Sequence, residues 1–166
     1  MPVDSFKWLP RSLAGYFQAM QVPEPDGMPW TPLRKPVEEC RFSLVTTAGL
    51  YVKGDQETFD LDRERREPFW GDPTYRAIPS DVRQDQIGVA HLHINTEDIE
   101  QDVNIVLPVH RFQELVEGGE VGELAPHLYS FMGFQMDNTQ WRERYAPAVA
   151  QRMVEEEVDA ALITPA

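Results

Sequence analysis

The chain has 166 residues, of which 42% are apolar and 26% charged, a size and balance that suit one folded domain and exclude a disordered polar chain or a collagen-like one. Its formal net charge is −13, with 10 basic and 12 acidic residues in 1–80 and 5 and 16 in 81–166, so the second half would repel phosphate backbones and anionic lipid and argues against nucleic acid or membrane as partner. The single Cys40 allows no internal disulfide, no apolar signal core follows Met1, and no run approaches the roughly 20 apolar residues of a membrane span, so a soluble cytoplasmic protein is expected.

Phe6, Leu9, Leu13, Tyr16, Phe17 and Met20 recur at helical intervals and predict an amphipathic N-terminal helix over 5–20, with Pro10 restricting where regular helix can begin. Five prolines between Val22 and Pro36 then predict an extended arm. Residues 1–39, helix and arm, are expected to pack on an α/β domain formed by 40–166. RFSLVTT at 41–47 reads as the first strand, with Thr46, Thr47 and Gly49 at its end. Residues 54–75 are polar, charged and broken by Pro68, Gly71 and Pro73, and predict a long ordered loop of the functional kind. IGVAHLHI at 87–94 predicts a second strand, followed by a helical turn at Glu97–Gln101.

Residues 103–107, VNIVL, read as a short strand, and Pro108 opens a helix that Gly118 and Gly119 close. HLYSFMGF predicts a buried strand, NTQWRERYAPAVAQRMVEEEVD a helix that Pro147 kinks, and DAALITPA a final strand. A helix between two short apolar strands is the mark of a parallel crossover. The fold class is therefore α/β, a mostly parallel sheet with flanking helices, with the strand near Ala160–Thr164 in the sheet.

The residues with chemistry are few. His91 and His93, two apart in a strand pattern, would share one face, with Asn95, Asp98 and Asp102 following. Two imidazoles and a carboxylate can hold zinc or iron, which leaves a metal-dependent enzyme as one reading, but no assured third ligand accompanies them and no metal is expected. No G-x-S-x-G, P-loop or dinucleotide fingerprint occurs. Cys40 follows Glu38 and Glu39 ahead of the first strand and reads as a small packed residue rather than a nucleophile. The carboxyl edge of the final strand is where open α/β sheets place their ligands.

Within residues 85–133 the sequence carries His93 in a strand, the run Asp102-Val103-Asn104-Ile105 ahead of Pro108, a helix ending in the Gly119–Gly122 segment, and the Ser-Phe-Met-Gly run at Ser130–Gly133. Together these resemble the selenoprotein B family of glycine, sarcosine, betaine and D-proline reductases, and RFSLVTTAGLYVKGDQ and VDAALITPA extend the resemblance over about residues 40–166. It implies reductive cleavage of a carbon–nitrogen bond in an amine or amino acid, with a selenocysteine or cysteine placed directly after a strand like VDAALITPA. No catalytic residue is then expected within the 166 residues themselves. It falls immediately after Ala166, and the chain as given is expected to be inactive and to hold no cofactor. His91, His93, Thr46, Asp102 and Asn104 become candidate substrate-binding residues, and a dithiol reductant and a partner reductase subunit candidate partners. The competing reading is a non-catalytic ligand- or protein-binding module.

Overall fold

A computed structural model describes residues 5–19, 27, 31–67, 69–133 and 135–166. The chain divides into two compact units, Met1–Pro32 and Leu33–Ala166. In the first, a 3-10 turn at Ser5–Trp8 precedes helix α1, Arg11–Ala19, which starts directly after Pro10 because proline lacks the amide a helix interior needs. Met20 and most of the Pro-rich arm expected at 22–36 lie outside the described residues.

The second unit is built on β1, Arg41–Thr46. Strand β7, Ala160–Thr164, runs parallel to it from Phe42↔Ala160 to Thr46↔Thr164. On its other side β1 meets β5, Glu123–Leu124, and β6, His127–Phe131, both parallel. Between the pairs Phe42↔Leu124 and Val45↔Tyr129, β1 advances three residues and its partner five, so β5 and β6 are pieces of one line interrupted around Pro126, which has no amide to pair. Strand β3, Tyr75–Pro79, adds antiparallel to β6. The order is β3, β6, β1, β7, a mostly parallel sheet with an antiparallel edge, as the helix between two apolar strands predicted.

Alternation along the strands sends side chains to two helical layers. Leu44, Ile78 and Leu128 point to a core completed by Ile99 of α3, Glu97–Gln101, and by Val103, Leu107 and Val109 at the start of α4, Val109–Glu117. The rings of Phe42 and Phe112 lie 5.6 Å apart on that face. On the other face Val45, Tyr75, Tyr129 and Phe131 pack against Val149 and Met153 of α5, Ala146–Glu155. The Tyr129 hydroxyl is sealed under this layer, and burial pushes it up to about 12.

Four sequence expectations change. The strand expected at 87–94 is only β4, Ile87–Val89, and it pairs antiparallel with β2, Leu50–Val52, in a separate two-stranded sheet. The strand expected at 103–107 is a 3-10 turn, Val103–Ile105, because the Asp102 side chain accepts from the Asn104 amide and caps it, while its apolar residues face the same core that a strand would reach. The loop expected at 54–75 contains α2, Leu61–Arg66. In the last helical region Trp141–Tyr145 is a π-helical turn: Pro147, in the first turn of α5, cannot donate to the carbonyl of Glu143, and the helix widens just upstream of it.

The amino edge of the sheet is tied by charge. Arg41 Nε donates to Glu123 at 2.9 Å, Lys35 pairs with Asp159 at 2.8 Å, and the Asp159 carboxylate also accepts from the Arg41 amide at 2.9 Å. These bonds hold the Asp159 carboxyl below its ordinary range. No helix among the described residues is long and apolar enough to cross a membrane.

Candidate functional site

β1, β6 and β7 all end at the opposite edge, and their ends are bound to one another there. The Ala166 amide donates to Thr47 Oγ1 at 2.9 Å, and the Thr47 amide reaches Thr164 O at 3.4 Å. Ala48 bridges to Met132. Gly133 leaves little room for a side chain here: a Cβ would lie 3.1 Å from Ala166 O and 3.3 Å from Thr47 O, closer than ordinary contact. The last residue of the chain is thus held against the turn after β1 and the turn after β6. A cleft of about 190 Å³ opens at this point, lined by Thr47, Met132, Gly133, Gln135, Asn138 and Trp141. Gln135 Nε2 donates to Asp72 O at 2.8 Å, which fixes the amide, and its Oε1 is buried with no hydrogen-bond partner. The indole of Trp141 is held edge-on against Phe131, centroids 5.8 Å apart.

Beyond Met132 lies a second group. Met132 packs with Phe59 and Ala90, and Gly49, at φ 67°, lets the backbone pass so close that a Cβ would sit 2.8 Å from the Met132 sulfur and against Ala90 O. Leu61 of α2 joins this cluster, and Glu64, three residues later on the same helical face, is carried inward with it. The helix is fixed at its start: Asp60 Oδ1 accepts from Arg63 N at 2.9 Å, and the buried Asp72 accepts from Asp60 N at 3.0 Å and Thr74 N at 2.9 Å. Glu64 is 3% exposed, and its Oε1 lies 3.1 Å from His93 Nε2. Burial raises the Glu64 carboxyl above its ordinary value, against the opposing pull of His93.

His91 and His93 do come together, but through a turn after β4 rather than through strand alternation. His91 Nδ1 accepts the His93 amide at 3.0 Å, so neutral His91 carries its proton on Nε2, and that nitrogen is buried without a partner. The rings meet edge to face at 5.9 Å. Burial lowers the His91 imidazole below its ordinary value. One His91 nitrogen is committed to backbone, and among the described residues no three His, Cys, Asp or Glu side chains converge on a point suited to a metal ion.

The other candidates hold backbone. Thr46 is fully buried, and its Oγ1 accepts from the Ala48 amide at 3.3 Å; its neighbour Thr47 is the one that reaches the cleft. Asp102 accepts from the side chain of Asn104 at 2.7 Å, and Asn104 Oδ1 accepts the His110 amide at 3.0 Å, which ties the 3-10 turn to the start of α4. Those bonds hold the Asp102 carboxyl below its ordinary range. Gln135, Asn138, Trp141 and Glu64 were not singled out by sequence. Glu64 had a legible signal, its i+3 spacing from Leu61 in a segment that could be helical. The others depend on which loops the sheet brings to one edge.

Residues 13–166 match the family model of glycine/sarcosine/betaine reductase selenoprotein B. The chain belongs to this family. It is 33% identical over 135 residues to the D-proline reductase subunit gamma of Acetoanaerobium sticklandii, covering 81% of this chain and 52% of that one. It is 26% identical over 158 residues to the glycine reductase complex component B subunit gamma of Symbiobacterium thermophilum, covering 94% and 36%. The corresponding subunit of Carboxydothermus hydrogenoformans is 23% identical over 145 residues, covering 87% and 32%. The chain therefore spans about half the length of the first relative and about a third of the other two. No solved structure matches it. The family match runs through β1, β6 and β7, the three strands whose ends frame the cleft.

Proposed function

We propose that these residues form the amino-terminal portion of a cytoplasmic, selenol- or thiol-dependent reductase that cleaves a carbon–nitrogen bond of an amine or amino acid, with the reacting cysteine or selenocysteine immediately after Ala166. The observation that carries this reading is the position of Ala166, hydrogen-bonded to Thr47 and packed against Gly133 at the mouth of the cleft. A residue following it would emerge at the carboxyl edge of the parallel strands, where α/β sheets place their reacting groups.

The chemistry asks for an anionic, soft nucleophile that is also a good leaving group. The selenolate or thiolate attacks the carbon that bears nitrogen, a selenium– or sulfur–carbon bond forms, and the C–N electron pair leaves with nitrogen, which takes a proton. A dithiol then reduces the adduct, so that substrate and dithiol give the C–H product, the amine and a disulfide. Cys40 does not fill this role. It is fully buried, and its sulfur faces the carbonyl of Lys35 at 3.6 Å at the amino edge. In this reading His91 and His93 orient substrate or hold the loop that carries them, and a partner reductase subunit of the kind named for the relatives would complete the site.

The test is an amine-release assay with a dithiol donor, a candidate partner subunit and a panel of amines and amino acids, run on two forms of the protein. The 166-residue polypeptide should release no amine, and a form continued beyond Ala166 with cysteine or selenocysteine should turn over in a thiol-dependent way. Turnover by the shorter form, abolished in Cys40→Ser, would put the nucleophile at the wrong edge of the sheet.

A further inference from the structure

We propose that the outer edge of β7 is a docking surface for further polypeptide of the kind its relatives carry outside the matched part, which adds a parallel strand beside β7 and covers both of its faces. This deepens the reading of these residues as an amino-terminal portion and rests on it, but not on the reaction. The two edges of the sheet are built differently. At one edge β3 carries Arg76, which donates from Nε to Glu57 O at 2.7 Å and from Nη2 to Thr58 O at 2.8 Å, and Gln56 Nε2 donates to Ala77 O at 2.7 Å. Pro79 ends that strand. A charge, a proline and a covering segment are the usual means of closing a sheet edge to further pairing. β7, Ala-Ala-Leu-Ile-Thr, has neither charge nor proline, and among the described residues it pairs with β1 alone. An unbroken apolar run of this kind is the pattern of an interior parallel strand, buried on both faces.

The register shows what is left open. Leu162 lies beside Leu44 and Ile163 beside Val45, so Leu162 extends the layer that Leu44 shares with α3 and α4, and Ile163 extends the layer that Val45 shares with α5. Leu44 is fully buried, yet Leu162 and Ile163 are exposed: both apolar layers stop at the same strand. The backbone is open along with the side chains. Thr164 O accepts from Thr47 N, so Thr164 and, by alternation, Leu162 turn their backbone groups to β1, which leaves those of Ala161 and Ile163 directed outward. Polypeptide that supplies one strand and cover on both faces satisfies all of these groups together. The relatives have it to supply, since the match covers 52% of the D-proline reductase subunit and 36% and 32% of the two glycine reductase subunits.

The experiment is amide hydrogen exchange read by NMR on the 166-residue polypeptide at low micromolar concentration, alone and with the part of the Acetoanaerobium sticklandii subunit that lies outside the match. That part is joined after Ala166 in one form and added as a separate polypeptide in another. Alone, the Ala161 and Ile163 amides should exchange freely while that of Leu162 is protected. With the added segment, Ala161 and Ile163 should slow by about tenfold or more. Ile163→Lys should lower the urea midpoint of the joined form and leave that of the 166-residue form nearly unchanged, because only the first buries the position. Free exchange at Ala161 and Ile163 in both the joined and the separate form, or an equal effect of Ile163→Lys with and without the segment, would overturn the proposal. A discrete dimer of the 166-residue polypeptide that protects these two amides by itself would assign the edge to a second copy and overturn it too. The two readings fail separately. Amine release by a continued chain whose Ala161 and Ile163 amides still exchange freely leaves the reductase standing and removes this surface, whereas protection without turnover does the reverse.

Discussion

At the scale of single residues, Glu64 is the group whose environment most opposes its chemistry. A carboxylate prefers water, and this one is 3% exposed with His93 Nε2 beside it. Because burial raises its folded-state value above the unfolded one, the native state favours the protonated acid. The stability it contributes is fully present below the unfolded value near 4.5 and is lost as pH rises through the raised folded value. Glu64→Gln keeps shape and removes the charge, so it should gain roughly 1–3 kcal/mol relative to the parent at pH 8 and little at pH 4.5. Urea unfolding at the two values measures this, and a pH-independent difference would show that the carboxylate is already satisfied. His91 works in the opposite window. Its folded value is lowered, so its contribution is present above about 6.5 and fades as pH falls through the lowered value. An NMR titration should find the His91 ring neutral, with the proton on Nε2, down to a pH below that of a free imidazole.

At the scale of elements, the turn from β1 into β2 depends on one backbone conformation. Gly49 sits at φ 67°, its amide donates to Phe131 O at 2.9 Å, and its carbonyl accepts from Ala90 N at 2.8 Å. A Cβ added there would strike Ala90 O, which belongs to backbone and cannot swing aside. Gly49→Ala should therefore cost about 3 kcal/mol or more, above the usual range for a single methyl group, and it should loosen the packing of Met132 and Ala90 that separates the cleft from the Glu64 cluster. Equilibrium urea unfolding reads the loss, and a change under about 1 kcal/mol would mean the turn can rearrange. By contrast α2 owes its place to its anchors. Asp60 and Asp72 bind its start, and the short polar helix has little apolar surface beyond Leu61 to hold it.

At the scale of the whole second unit, charge and chemistry occupy opposite edges of the sheet. Arg41, Lys35, Glu123 and Asp159 tie the amino edge, and the cleft opens at the carboxyl edge. β7 is the least covered strand. Among the described residues it pairs with β1 alone, and Leu162 and Ile163, which alternate to opposite faces, are 38% and 66% exposed. An apolar edge strand is a template for association. Ile163→Lys should reduce self-association of the 166-residue polypeptide in light scattering at high concentration, with a stability change within about 0.5 kcal/mol because the site is already open to solvent.

The pattern of apolar residues was enough to locate β1, β6, β7, α4 and the parallel class, because their periodicity, proline starts and glycine stops are local properties of the chain. The Ser130–Gly133 run and the Asp102–Asn104 run likewise carried the family in the sequence itself. Local pattern failed where a side chain chose between two uses of the same apolar residues. VNIVL became a turn because Asp102 capped it, and the histidine segment left its strand after Val89 because His91 took the His93 amide. The cleft lay beyond any local signal. Thr47, Gly133, Gln135 and Trp141 meet only because β6 and β7 flank β1 in parallel and end together, and Gln135 Oε1 is unpaired only because Asp72, far away in sequence, holds the other end of that amide. Sequence determines which residues can bond; the closing of the sheet determines which of them are left with a bond to make.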